Sequence, residues 1–388
     1  MDKIGFLTWY RFDDIASTTT RNKLKIFYKY VIKNIEEDIN SNGGIAGKNI
    51  FIDLLDVPVP YDHDKDAYGK KLASSPGLLF AKGPAVFCGI REKKDAYIKT
   101  VESETRLLFY DTSNAKSSIE LLPNNIDLGT AIDKKNSTAG DVFEINKEFF
   151  DVDRLFHIAN IANHSPLRER EDELSKKNIF LNYIDKEEDL IFENIEAKML
   201  EALKDSTDKD MLSIGAMPTK LKTNVFNVCK KHNFPLKIYI SSTGNTSSFD
   251  YSDMSFAPIF QVRPNFDIYL KMEQFIEDSG QTFDISEKHL INDHFYQFEI
   301  PYLIKHVTEK NHMSLHQDKE VDFIQNIKSG LNKIDGNEEI FVGTSINYAF
   351  KDQKNTLRKR LMVQALPSKV NPSLPLYIYH HKQLALED

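Results

Sequence analysis

Apolar residues along this chain switch repeatedly between short continuous runs and stretches with a period near 3.6. Lys3 to Trp9 is an apolar run ending in the aromatic, polar loop Tyr10-Arg11-Phe12-Asp13-Asp14. From Thr20 to Asn40 apolar residues recur at helical spacing: Leu24, Phe27, Tyr28, Val31, Ile32, Ile35 and Ile39. Asn42-Gly43-Gly44 stops that helix, since glycine accepts the left-handed conformation of a C-terminal cap. The same reading predicts strands at 49–57, 85–89 and 106–111, with helices at 66–75 and 91–104 between them.

The middle of the chain repeats this rhythm. Strands are predicted at 154–160, 178–184, 211–216 and 236–241, with helices at 167–177, 188–204 and 220–232. Strands separated by helices of this length form parallel βαβ units. Residues 266–334 read as mostly helical. Extended segments at 340–350 and 356–365 then flank a turn, as in a late hairpin.

At 388 residues the chain exceeds what one core supports, so two α/β lobes are expected. The 41% hydrophobic content, rich in Phe and Tyr, excludes global disorder. A net charge of −8 argues against a nucleic-acid partner, which needs a clustered basic face. No run approaches the ~20 apolar residues of a membrane span. Two cysteines, Cys88 and Cys229, exclude a disulfide framework and a cysteine-built zinc site. No P-loop, no dinucleotide-binding glycine pattern and no G-x-S-x-G elbow occurs, so an enzyme is not expected. His312 and His316 have helical metal-ligand spacing but no third ligand to match, and read as a solvated turn.

The segment Glu37-Asp38-Ile39-Asn40-Ser41-Asn42-Gly43-Gly44-Ile45-Ala46-Gly47 resembles a signature of type I periplasmic binding proteins, in which the first helix ends before the second strand. Two glycines turn the chain, Ile45 caps the core, and Gly47 lets the backbone re-enter the sheet. Val86-Phe87-Cys88-Gly89-Ile90, Leu108 to Ser113, Met211 to Ser242 and Phe298 to Ile304 resemble later parts of that family. So does the region from Phe341 to Phe350. The resemblance implies a two-lobed α/β clamshell, each lobe a doubly wound parallel sheet, with three crossovers and ligand in the cleft. Residues 1–120 with 259–334 form one lobe in this reading, and 121–258 with 335–388 the other.

Ligand contacts are expected in loops at strand carboxyl ends. Trp9 is either a core anchor or a stacking wall. Gly89, Ile90 and Arg91 follow the strand expected at 85–89. There Arg91 either grips an anion with its fork or pairs with Glu92 or Glu102 on its own helix. Asp111, Thr112 and Ser113 form a second polar loop, in which Asp111 either meets an ammonium or caps a helix. Asn163, Ala216, Met217 and Thr243 occupy corresponding second-lobe positions. The loop Ser241-Ser242-Thr243-Gly244 lacks the acid that amino-acid binders of the family supply for an ammonium.

The expected function is capture of a small polar molecule (amino acid, amide or small acid) for the permease of an ABC-type transporter. The alternative is a receptor's ligand-sensing domain or a cytosolic small-amide regulator. No cofactor, metal, nucleic acid or direct membrane insertion is expected. Location is periplasmic or extracellular after loss of a signal peptide, or cytoplasmic, since Met1-Asp2-Lys3 leads straight into the first strand.

Overall fold

The computed structural model describes residues 2–56, 71–82, 106–110, 125–128, 143–160, 170–184, 191–215, 219–240, 259–315, 320–334, 348–355, 361–365 and 376–379, apart from a few positions within these stretches. The chain divides into two compact units. Unit 1 comprises Met1–Ala131, Asp267–Lys359 and Ala385–Asp388; unit 2 comprises Ile132–Phe266 and Arg360–Leu384.

Unit 1 is built on β1 (Lys3–Tyr10), β2 (Asn49–Asp56), β3 (Leu78–Lys82), β4 (Leu107–Tyr110) and β5 (Asn125–Asp127). All are parallel, and β11 (Phe350–Lys351) and β12 (Lys354–Asn355) extend the sheet beyond β5. Helix α1 (Thr18–Ser41) starts where the Ser17 side chain accepts the Thr20 amide, and it buries the seven apolar residues its periodicity marks. Its end follows the glycine reading. Gly43 and Gly44 have φ of +86° and +69°, the Gly44 amide returns to the Ile39 carbonyl, and buried Ile45 bridges to Lys48.

Unit 2 repeats the plan with β6 (Arg154–Asn160), β7 (Ile179–Ile184), β8 (Asp210–Ile214), β9 (Lys237–Ile240) and β10 (Ile259–Pro264), again parallel. Between these strands run α2 (Glu171–Lys176), α3 (Phe192–Leu203) and α4 (Thr219–His232). Antiparallel β13 (Leu361–Ala365) and β14 (Leu376–Tyr379) complete the sheet. After β10 the chain returns to unit 1 in a helical stretch that begins with α5 (Phe266–Ser279) and α6 (Ile285–Phe295). A 3₁₀ turn (Tyr296–Glu299), α7 (Ile300–Lys310) and α8 (Glu320–Leu331) complete it. An Asp284–Glu287 capping box starts α6, and Glu287 also takes Lys23 of α1 at 2.7 Å.

Three elements differ from the sequence reading. The strand between β1 and β4 is Leu78–Lys82, which the sequence reading lacks, and the strand read at 85–89 lies outside the described residues. Gly77 (φ +87°) turns the chain, and its carbonyl takes the Gly5 amide at 2.6 Å, so the buried run after it enters the sheet centre. Strand β10, which follows Pro258 and ends in Pro264, has no counterpart among the predicted strands; its ladder to β9 ends at Gln261, short of Pro264. The closing segments do not form one hairpin: β11 and β12 pair in the first sheet, and β13 joins the second.

Candidate functional site

The five-strand parallel core of each sheet has the same order, β2-β1-β3-β4-β5 and β7-β6-β8-β9-β10. That order reverses at β1/β3 and at β6/β8. In open α/β sheets the crevice outside the carboxyl ends at such a reversal is where ligands bind.

At the β1/β3 reversal the structure assembles a group of polar and aromatic side chains. The register of β1 with β3 stops at Leu7–Ala81, so the backbone of Trp9 turns to side chains instead. Its amide donates to Gln297 Oε1 (3.3 Å), and its carbonyl accepts from Lys82 Nζ (3.5 Å). Lys82, the last residue of β3, is 1% exposed. Its ammonium lies 4.1 Å from the Trp9 ring centroid and 5.3 Å from that of Tyr296, and donates to His294 Nδ1 at 3.0 Å. A lysine cannot accept, so Nδ1 is the acceptor and the imidazole proton resides on Nε2. The His294 ring also meets Trp9 and, edge-on, Tyr10, and it is the half-buried member among otherwise buried residues.

Gln297 completes the group. Because Oε1 must face the Trp9 amide, Nε2 points away from it, fully buried and without a hydrogen-bond partner. An orphaned buried donor costs about 1–3 kcal/mol.

At the β6/β8 reversal, His157 Nδ1 and Ser213 Oγ lie 2.9 Å apart on paired residues. Gly215 is required there, since a Cβ would meet the His157 ring at 2.8 Å. Lys222 is buried in α4, and that burial pushes its pKa down.

Of the residues singled out from sequence, Trp9 is described and stands in the β1/β3 group. Gly89, Ile90, Arg91, Asp111, Thr112, Ser113, Asn163, Ala216, Met217 and Thr243 lie outside the described residues. Lys82, His294, Tyr296 and Gln297 escaped the sequence reading. Lys82 had a signal, a Pro76-Gly77 turn followed by an apolar run ending in a cation. The other three fall within a helical region and carried none.

Two surface cavities, of about 450 and 380 Å³, share His312, Met313 and Ser314 and include the Gly43–Gly44 turn, at the opposite edge of the first sheet. Among the described residues no cluster of three or more His, Cys, Asp or Glu could hold a metal, and no helix is long and apolar enough to cross a membrane. Cys229 is a buried free thiol whose pKa burial pushes up to about 12; Cys88 lies outside the described residues.

No family model and no curated protein sequence matches the chain. Solved structures do. An ABC transporter substrate-binding protein from Desulfitobacterium hafniense, in complex with Leu, superposes with a TM-score of 0.60 at 11% identity, over 97% of this chain and 100% of that one. The fold is that of type I substrate-binding proteins. A branched-chain amino acid ABC transporter protein from Thermus thermophilus with bound valine gives 0.60 at 6% identity, covering 97% and 95%. A fatty acid ABC transporter substrate-binding protein from Thermomonospora curvata gives 0.59 at 11%, covering 98% and 93%.

Proposed function

We propose that the chain is a solute-binding protein. It captures a small polar ligand at the carboxyl edges of its sheets and delivers it to an ABC-type permease, outside the cytoplasmic membrane. The observation that carries this reading is the group at the β1/β3 reversal. Buried donors and aromatic faces converge there at the edge where open α/β sheets bind ligands. Similarity in fold to proteins solved with leucine and valine supports it. Gly89, Ile90, Arg91, Asp111, Thr112, Ser113, Asn163, Ala216, Met217 and Thr243 are proposed as further contacts.

A thermal-shift screen of refolded, ligand-stripped protein against amino acids, amides, polyamines and small acids tests the reading. A ligand at a hundred times its Kd stabilises the native state by about 2.7 kcal/mol. A reproducible rise in Tm with one chemical class is the expected result. No shift from any class contradicts it.

A further inference from the structure

We propose that the chain associates with a second copy of itself through the outer edge of β7, the two strands pairing antiparallel about a twofold axis at Leu181. The inference goes beyond the solute-binding reading and does not depend on it. Strands β2 and β7 are the corresponding end strands of the two sheets, and their outer edges differ. On β2 the amide and carbonyl of Ile50 are taken by Asn40, and the Ile52 amide by Glu36.

The phase of the β6–β7 ladder shows which groups of β7 face outward. The Leu155 amide donates to the Asn178 carbonyl, and Leu155 stands in register with Ile179. In a parallel ladder this turns Phe180 and Asn182 toward β6, and the amides and carbonyls of Ile179, Leu181 and Tyr183 away from it. Among the described residues nothing takes the outward groups of Ile179 or Leu181. Phe180, Leu181 and Asn182 are half-buried, so this stretch reaches solvent. Ile179 to Ile184 contains no charged residue, proline or glycine, a composition that pairs readily with another strand.

The spacing of the outward residues selects the occupant. Three alternate residues centred on Leu181 are self-complementary under a twofold. Leu181 then faces the partner's Leu181, and Ile179 faces the partner's Tyr183, each pair exchanging both hydrogen bonds. Charge agrees with the antiparallel sense. Lys176 and Lys177 precede the strand, and Asp185-Lys186-Glu187-Glu188-Asp189 follows it. Antiparallel pairing sets the basic end of one copy against the acidic end of the other, whereas parallel pairing sets like against like.

Size-exclusion chromatography with light scattering, run on the full chain over a wide concentration range, reads the association. The mass of two chains is expected at the upper end. Leu181→Pro removes an outward N–H and leaves the donors to β6 in place, as edge strands tolerate. It should weaken self-association roughly tenfold or more, with a circular dichroism melt establishing that it is folded. Amide exchange on the unaltered protein needs no variant, and decides the matter if Leu181→Pro does not fold. Exchange across 179–184 should slow as concentration rises, while that of β2 stays constant. One chain mass at every concentration, with exchange independent of concentration, overturns the proposal. So does a dimer that leaves 179–184 unprotected or that Leu181→Pro leaves intact. Oligomers that grow without limit overturn it as well, because twofold pairing consumes the edge.

Discussion

The side chain of Asn40 exchanges two hydrogen bonds with the backbone of Ile50. Its Oδ1 accepts the Ile50 amide at 2.6 Å, and its Nδ2 donates to the Ile50 carbonyl at 3.2 Å. One turn earlier on α1, Glu36 accepts the Ile52 amide at 2.5 Å. Strand β2 lies at the edge of the first sheet, so these side chains satisfy backbone groups that would otherwise template pairing with another chain. Asn40→Leu removes both bonds and leaves the Ile50 groups part-buried, which should cost about 1–3 kcal/mol in urea unfolding. A loss below about 0.5 kcal/mol would show that water replaces the asparagine without penalty.

The two glycines of the turn make a matched pair. Both have positive φ, but a Cβ at Gly44 would lie 2.1 Å from the Lys48 carbonyl oxygen, whereas one at Gly43 would meet nothing within 4 Å. Gly43→Ala should cost about 1 kcal/mol, the strain of a left-handed alanine. Gly44→Ala adds a backbone clash and should cost at least about 2 kcal/mol more. Equal melting temperatures for the two variants would contradict the local geometry.

Acid stability should depend on Asp210. Burial alone would raise its pKa, but hydrogen bonds from Arg154 (2.9 and 2.7 Å) and from the Thr207 amide and hydroxyl outweigh burial and hold it below the usual range. A carboxyl depressed in the folded state contributes stability that is full above its unfolded pKa, about 3.9, and lost as pH falls through the folded value. In Arg154→Met burial dominates, so the acid limb of the stability curve should move to higher pH. The neutral-pH loss should be about 2 kcal/mol, less than for a fully buried pair because Arg154 is 33% exposed. An unchanged acid limb would show that Thr207 alone holds the carboxylate.

The parts of the fold legible in the sequence are those where one periodicity had no competitor. Helix α1 buries its marked residues, and β6 spans 154–160 as read, because a clean stripe or a run bounded by polar residues admits one placement. Strand β3 was missed because two apolar runs, Leu78–Ala81 and Ala85–Gly89, start seven residues apart and local pattern does not say which enters the sheet. Pairing with β1 and β4 places the first of these in the sheet. Strand β10 was hidden by its prolines. Of the site, Trp9 was legible because it closes the first strand. Gln297 and His294 reach that strand end from nearly 300 residues away, across a separation no local pattern records.

Trp9 is the chain's only tryptophan, so its fluorescence reports on the end of β1 alone. The most direct test of ligand capture at the β1/β3 reversal is a titration followed by Trp9 emission and by calorimetry in parallel, using whichever compound stabilises the protein most. A ligand seated beside Trp9 and Lys82 should change the emission saturably, at one equivalent per chain, with the same Kd by both methods. Calorimetric saturation with an unchanged emission spectrum would place the ligand elsewhere and contradict the account.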